Sequence, residues 1–216
     1  MKDLSEKNDT LIIPVEYGKS VLSEDQIFSG GDKDKVRPIV FMIYLIKTGD
    51  RNILVDAGCV TMPGFVVENF IGPFAALKEK GVSVGDITDL IITHSHHDHI
   101  ECASGFKNAR IYIQKYEWEE GKRYIPDCAR VVTFEDELSI RENAKIVRIG
   151  GHSKGSCIVE IACGGQTIVI AGDECYSRRC LDKRIPTGNS FDPEKSRRFI
   201  EKYSDPKYRV LLCHDR

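Results

Sequence analysis

A chain of 216 residues, 41% hydrophobic and 30% charged, has the composition of an ordinary soluble globular protein that can bury a sizeable core. Its formal net charge of -2 gives no electrostatic reason to expect nucleic acid or an anionic membrane as a partner. Residues 1–9 are polar with no apolar signal core, no run approaches the ~18 apolar residues of a membrane span, and a cytoplasmic location is expected.

The first third reads as strands. Residues 10–17, 38–48 and 52–55 are candidates, the last two joined into a hairpin by Thr48-Gly49-Asp50-Arg51. Residues 39–46 are apolar almost throughout, as in a strand buried on both faces. Val66, Val67, Phe70, Ile71, Phe74 and Leu77 follow helical spacing, interrupted by Gly72-Pro73. Either one helix kinks there or a second begins at Pro73, and Gly81 is a plausible stop. Residues 90–93 form a short buried strand, 111–113 another, and 115–123 a helix.

In the second half, 145–149 is a strand that runs into Gly150-Gly151-His152. Segments 156–163 and 166–170 flank Gly164-Gly165, a two-residue hairpin signal, and lead to Ala171-Gly172-Asp173. Asp192-Pro193 opens a helix whose apolar face is Phe199, Ile200 and Tyr203. The final strand, 208–213, ends at His214. Five short apolar strands thus end in a polar residue: Asp56, His94, His152, Asp173 and His214. A faint internal echo, 52–56 against 167–171, hints at two related halves.

Eight cysteines occur with no C-x-x-C pair, and in a reducing compartment they read as free, mostly buried thiols. Cys102, Cys175 and Cys213 each lie within three residues of a candidate ligand, but the histidines and aspartates suffice without them.

Thr93-His94-Ser95-His96-His97-Asp98-His99 carries the chemistry. Five potential ligands fall within six residues, and imidazoles so clustered either repel as cations or take a metal. Two ligands separated by one residue on an extended turn can face one ion, while Asp98 and His99 begin a new segment and face a second.

The H-x-H-x-D-H arrangement resembles the signature of the metallo-beta-lactamase superfamily. Val55-Asp56-Ala57-Gly58 is similar to its D-x-G strand end, and Gly151-His152-Ser153-Lys154-Gly155-Ser156 to its G-H-[TS]-x-G-S loop. Gly172-Asp173 resembles its bridging aspartate, and Cys213-His214-Asp215 its last histidine. The order is right, and five of the six histidines fall on these positions. The resemblance implies an α/β fold, the four-layer αβ/βα sandwich with its metal site at one edge of the two sheets. It further implies one domain over residues 1–216, its two halves joined near 150.

It also implies two divalent ions, zinc first, with iron or manganese as alternatives. His94, His96 and His152 would hold one, Asp98, His99 and His214 the other, with Asp173 bridging and Asp56 orienting an imidazole from behind. Two such ions acidify a shared water. The implied reaction is attack by a metal-bridging hydroxide on the carbonyl of a small ester or lactone, with Asp98 carrying a proton to the leaving group. In Asp173-Glu174-Cys175-Tyr176, the tyrosine three residues past the aspartate is similar to that of the N-acyl-homoserine lactone hydrolases, where the phenol hydrogen-bonds the substrate carbonyl or its oxyanion. Asp98 and Tyr176 are therefore the catalytic candidates, and the partner is a small molecule rather than nucleic acid or membrane. A glyoxalase-II-like thioesterase shares all seven ligands and is the alternative; a mononuclear-iron sulfur dioxygenase keeps the histidines.

The chain departs from the pattern in places. Glu101 and Cys102 stand where glycines are usual, Lys154 replaces a proline, and His97 takes a position often apolar in the lactonases. Glu101 reads first as a solvated helix residue, with an outer support of the site or a substrate contact as alternatives, and His97 as a non-ligand lining the pocket or bonding outward. Ser177 to Arg184 is a basic run, expected as a solvated loop or else as a receiver of a substrate anion. Trp118 and Phe65 are expected to pack in the core, or else to wall a pocket.

Overall fold

Side-chain alternation decides how the long early strands are used. In the computed structural model, which describes residues 10–216, the stretch from Ile39 to Ile46 is buried on both faces. Val40, Met42, Tyr44 and Ile46 point to one cluster, while Ile39, Phe41, Ile43 and Leu45 point to another. A strand covered on both sides needs a partner layer on each, and the rest of the chain supplies them. Residues 1–9, read above as polar, lie outside the described residues.

Strands β1 (Leu11–Ser23), β2 (Val36–Thr48), β3 (Arg51–Val55), β4 (Asp89–Ile92), β5 (Arg110–Gln114) and β6 (Arg130–Phe134) form one sheet in that order. Strands β7 (Glu137–Arg141), β8 (Ala144–Arg148), β9 (Cys157–Cys163), β10 (Gln166–Ile170) and β11 (Tyr208–Leu211) form the second, ordered β11-β10-β9-β8-β7. The helices are α1 (Glu24–Ile27), α2 (Pro73–Glu79), α3 (His97–Ile100), α4 (Lys115–Gly121), α5 (Arg178–Lys183) and α6 (Pro193–Tyr203). Between the sheets, Val40, Tyr44, Ile53 and Ile91 meet Ile146, Val159, Ile161 and Ile170. On the outer faces Ala76, Leu77, Ala103 and Phe106 cover the first sheet, and Phe199, Ile200 and Tyr203 the second. The result is the expected αβ/βα sandwich. No helix among the described residues is long and apolar enough to cross a membrane.

The two hairpin turns form as read. Gly49-Asp50 joins β2 to β3, and Gly164-Gly165, at φ of 59° and 79°, joins β9 to β10. Asp192 caps α6 by accepting from the Lys195 N–H at 3.1 Å, with Pro193 in the first turn.

Other expectations need correction. The helix begins at Pro73, whereas 66–72 is not helical although its apolar residues have helical spacing. Asn69 and Gly72 take positive φ of 48° and 75°, and Lys19 bridges to Glu68 across the edge of β1. Phe70 lies so close to Gly18 that a Cβ there would meet the ring at 2.4 Å. Edge pairing and one aromatic contact override the periodicity. The basic run is a helix rather than a loop: α5 is capped by Ser177 and buries Cys180 and Leu181, while its charged side chains stay exposed as expected. Its Arg178 donates to the Val210 carbonyl at 2.6 Å, and Arg179 lies over the Phe28 ring. β1 runs six residues past the expected end, and β6 and β7 were not anticipated.

Leu54 is wholly enclosed between the first sheet and its helical layer. Leu54→Ala should lower the unfolding free energy by about 2–5 kcal/mol in urea titrations made with a chelator present. A loss well below that range would mean this layer is loosely packed.

Candidate metal centre

Five strands deliver their ends to one edge of the sandwich. Asp56 follows β3, His94 follows β4, His152 follows β8 through a short loop, Asp173 follows β10 and His214 follows β11. The single turn of α3 adds Asp98 and His99, with His96 just before it. These side chains meet as two groups, His94, His96, His152 and Asp173 in one, and Asp98, His99 and His214 in the other.

In the first group His96 Nδ1 lies 3.0 Å from His94 Nε2 and 2.8 Å from His152 Nε2. Asp173 Oδ2 is 3.5 Å from His94 Nε2 and 3.3 Å from His152 Nε2. The other oxygen, Oδ1, is 3.0 Å from both His99 Nε2 and His214 Nε2. Asp98 Oδ2 completes the second group at 3.6 Å from each of those nitrogens. Ligand atoms around a tetrahedral ion with bonds of ~2.0–2.1 Å should stand ~3.3–3.4 Å apart. The observed spacings straddle that value, and one carboxylate faces both groups.

The imidazoles are set for this from behind. His99 Nδ1 donates to Asp56 Oδ2 at 2.8 Å, His152 Nδ1 to the Asn189 carbonyl at 2.8 Å, and His214 Nδ1 to the Val40 carbonyl at 3.0 Å. The two carbonyls can only accept, and Asp56 also takes the Thr93 hydrogens, so the hydrogen of each neutral ring sits on Nδ1 and its Nε2 is bare. Thr93 Oγ1, which donates to Asp56, faces His94 Nδ1 at 3.2 Å and imposes the same state. Bare nitrogens then converge on a carboxylate. His99 Nε2, Asp173 Oδ1 and His214 Nε2 are fully buried and have no hydrogen-bond partner. Buried polar atoms are rarely left so, and a cation between them satisfies all three at once. The donor set therefore fits metal.

Electrostatics follow from the packing. Burial alone would raise the Asp173 carboxyl, but His99, His214, His94 and His152 hold it well below the usual carboxylate range. Burial keeps His94 and His152 below the ordinary imidazole value. Burial would lower His99 and His214 too, yet Asp173 and Asp98 outweigh it and raise both. Asp56 itself sits at a φ of 63°, a strained conformation for a side-chain-bearing residue. Its carboxylate accepts from the Thr93 N–H, the Thr93 hydroxyl and His99, which offsets that strain.

Tyr176 is buried, stacked on the His214 ring at 4.9 Å, and donates its phenol hydrogen to Asp173 Oδ2 at 2.8 Å. Burial and the neighbouring Asp173 push that phenol well above its usual value, so it is a donor. His97 is no ligand: its Nε2 lies 3.0 Å from the Thr61 carbonyl and 3.1 Å from the Thr61 hydroxyl. Glu101 is not free in solvent; it accepts from the Val60 and Thr61 N–H groups at 2.6 and 3.2 Å and from the Thr61 hydroxyl at 2.9 Å. Phe65 is exposed at the wall of the site cavity rather than in the core, whereas Trp118 packs against the core as expected. All eight cysteines are free, and Cys102, Cys175 and Cys213 are buried outside both metal groups.

Two acids that sequence reasoning passed over lie beneath the cluster. Glu117 and Glu174 are both buried and bonded to the loop that carries His152. Burial pushes Glu174 up to about 7 against the pull of its hydrogen bonds. Its place beside Asp173 was the available clue; Glu117, on an ordinary amphipathic helix, offered none.

The sequence profile of the metallo-beta-lactamase superfamily matches residues 42–214. Metallo-beta-lactamase domain-containing protein 1 of Xenopus laevis is 29% identical over 180 residues, 71% of this chain and 73% of that protein. A probable metallo-hydrolase of Methanocaldococcus jannaschii is 27% identical over 164 residues, 76% of this chain and 70% of that protein. A solved N-acyl homoserine lactone hydrolase, with the product N-hexanoyl-L-homoserine at its catalytic metal center, superposes with a TM-score of 0.81 at 21% identity, covering 94% and 92% of the two chains. At that identity the likeness is one of fold.

Metal uptake should show in stability. With Zn²⁺ at about 100 times its Kd, ion-depleted protein should gain about 2.7 kcal/mol per site, seen as a higher Tm that a chelator reverses. Because His99 and His214 hold protons above the ordinary imidazole range without metal, uptake should release protons and weaken as pH falls. A Tm indifferent to Zn²⁺ and chelator at neutral pH would remove the metal from this site.

Proposed function

The chain belongs to the metallo-beta-lactamase superfamily and is a metal-dependent hydrolase, and on that premise we propose that it uses two ions to open a small ester or lactone. The observation that carries the reading is Asp173, whose two carboxylate oxygens each face a separate group of ligand atoms. His94, His96 and His152 would hold one ion and Asp98, His99 and His214 the other, with Asp173 shared between them. Imidazole and carboxylate ligands at these spacings favour zinc, with iron and manganese as alternatives. Eight free thiols agree with a reducing, cytoplasmic setting.

The cavity above the centre supports the substrate class. It has a volume of about 360 Å³, with walls of Leu22, Ile39, Phe41, Met62, Pro63 and Phe65 and a floor of His96, Asp98, Asp173, Tyr176 and His214. An apolar wall over a polar floor suits an acyl group whose carbonyl reaches the floor. The fold neighbour named above holds an acyl homoserine at its metal centre, and we carry that class to this chain as the leading substrate.

When bound, the ions supply an acidified water as nucleophile and polarise the carbonyl under attack. The protein's own residues do the rest. Asp56 and the Val40 and Asn189 carbonyls keep three ring nitrogens turned inward, so their lone pairs need no reorientation. Asp98, half-buried at the cavity floor, keeps one carboxylate oxygen clear to pass a proton to the departing alcohol. Tyr176 borders the same cavity, and its phenol hydrogen, given to Asp173 in the structure, can turn to the carbonyl oxygen as negative charge builds there.

Asp98→Asn should lose one ion or most turnover while the protein stays folded; two tightly held ions with full turnover would show the roles to be misassigned. Tyr176→Phe should lower lactone turnover about 10²-fold, and an unchanged rate would return the ring to packing. Proton release from an acyl-homoserine lactone, run beside a glutathione thioester, tests the substrate class. Release from the thioester alone would move the chain to the glyoxalase-II-like branch. One iron per chain with persulfide-dependent oxygen uptake would move it to the dioxygenases.

A further inference from the structure

Glu117 and Glu174 contact the loops that carry ligands rather than the ligand rings. Glu117 Oε2 accepts from the Ser95 N–H at 2.9 Å and the Ser95 hydroxyl at 2.6 Å, while Oε1 accepts from the Ser153 hydroxyl and the Gly155 N–H, both at 2.8 Å. Ser95 lies between His94 and His96, and Ser153 follows His152. One carboxylate therefore ties together both segments that bear the three imidazoles of the first group. Glu174 Oε1 grips the same loop from its other side, accepting from the Gly151 and His152 N–H groups at 3.1 and 3.3 Å and from the Ser156 hydroxyl.

The loop is shaped around these two acids. A Cβ on Gly151 would stand 2.4 Å from Glu174 Oε2, and one on Gly155 would stand 2.9 Å from Glu117 Oε1. Residues 151–156 form no strand or helix, so their donors need partners from elsewhere, and the two carboxyl groups supply them. The second group is supported differently. His99 rests on Asp56, His214 on the Val40 carbonyl, and Asp98 lies in the turn of α3. Neither Glu117 nor Glu174 makes a hydrogen bond to those residues.

We propose that Glu117 and Glu174 form a carboxylate clamp that positions the His94, His96 and His152 group alone, so that its ion can be lost while the other stays. Both are positioning residues, and the inference rests on the reading that the seven ligands hold metal. His96 Nδ1 lies 3.0 Å from His94 Nε2 and 2.8 Å from His152 Nε2, and without an ion a single hydrogen on it cannot satisfy both. The loop bearing His152 relaxes outward unless held, and the clamp holds it.

The test is titration of the ion-depleted full-length chain with Zn²⁺ by calorimetry, repeated with Co²⁺ to read the visible absorption of each position. Wild type should take two ions. Glu117→Gln keeps the side-chain volume but turns an amide NH₂ toward the donors of one loop or the other. It should keep one ion at wild-type affinity and weaken the other about 10–100-fold, leaving a single-site Co²⁺ spectrum. Glu174→Gln should act in the same direction. If Glu117→Gln does not fold, Ser153→Ala removes one donor from the loop side and should weaken the same ion. Two ions held as in wild type would overturn the clamp. So would equal weakening of both ions together with a lower Tm of the ion-free protein, since that is the mark of a general structural role. A wild-type chain that takes no ion would sink the metal reading itself, whereas two ions in wild type with unchanged variants would sink the clamp alone.

Discussion

Everything at the active edge depends on one buried carboxylate set among bare ring nitrogens. Asp173 is almost fully enclosed, with four imidazoles within 3.5 Å of its two oxygens. Such a group is costly in isolation: a buried charge surrounded by lone pairs lacks the partners that would offset its desolvation. Without ions, Asp173 and Asp98 raise the His99 and His214 imidazoles, and a second proton drawn onto their otherwise bare Nε2 atoms would offset part of that cost. A pair of cations satisfies the same atoms without placing a hydrogen on any Nε2. The fold serves this constraint, because ends of rigid strands fix ligand atoms more closely than loops can.

Much of this was legible in the sequence because ligands cannot hide. Histidine and aspartate at strand ends are conspicuous, and H-x-H-x-D-H leaves little else for so many imidazoles to do. The supports behind the ligands were less visible, for physical reasons. The Val40 and Asn189 carbonyls orient His214 and His152 through backbone atoms, so no side-chain identity could announce them. Glu117 sits on a helix whose exposed acids look the same in sequence, and only the tertiary fold turns this one inward. Asp56 was found because its position follows a strand, and the structure adds the strain it carries and the three donors that hold it there.

The misread segments share a cause. Residues 66–72 have helical apolar spacing, yet their side chains are used against β1 one at a time, with Phe70 against Gly18 and Glu68 bridged to Lys19. Periodicity reports a face only when a whole face is buried. The basic run 178–184 was misread only as a loop: its charges do face solvent, while Cys180 and Leu181 within it anchor α5 to the core. A tally of charge says little about a short helix held by two buried side chains.

The two sheets repeat a local pattern that bears on how the centre arose. β2, β3 and β4 lie side by side with antiparallel then parallel pairing, and β9, β10 and β11 do the same. We infer that the chain is one domain of two related halves, joined near residue 150. Asp56 follows β3 and Asp173 follows β10, so each half places an aspartate beyond the end of a corresponding strand. What faces them differs. Asp56 meets N–H and O–H donors behind His99, while Asp173 faces ring nitrogens of both ligand groups and one phenol hydrogen. His99 stands between the two, its Nδ1 at 2.8 Å from Asp56 and its Nε2 at 3.0 Å from Asp173. A single imidazole is thus oriented by one half of the molecule and presented to the other, and the Nδ1 proton decides which aspartate is which.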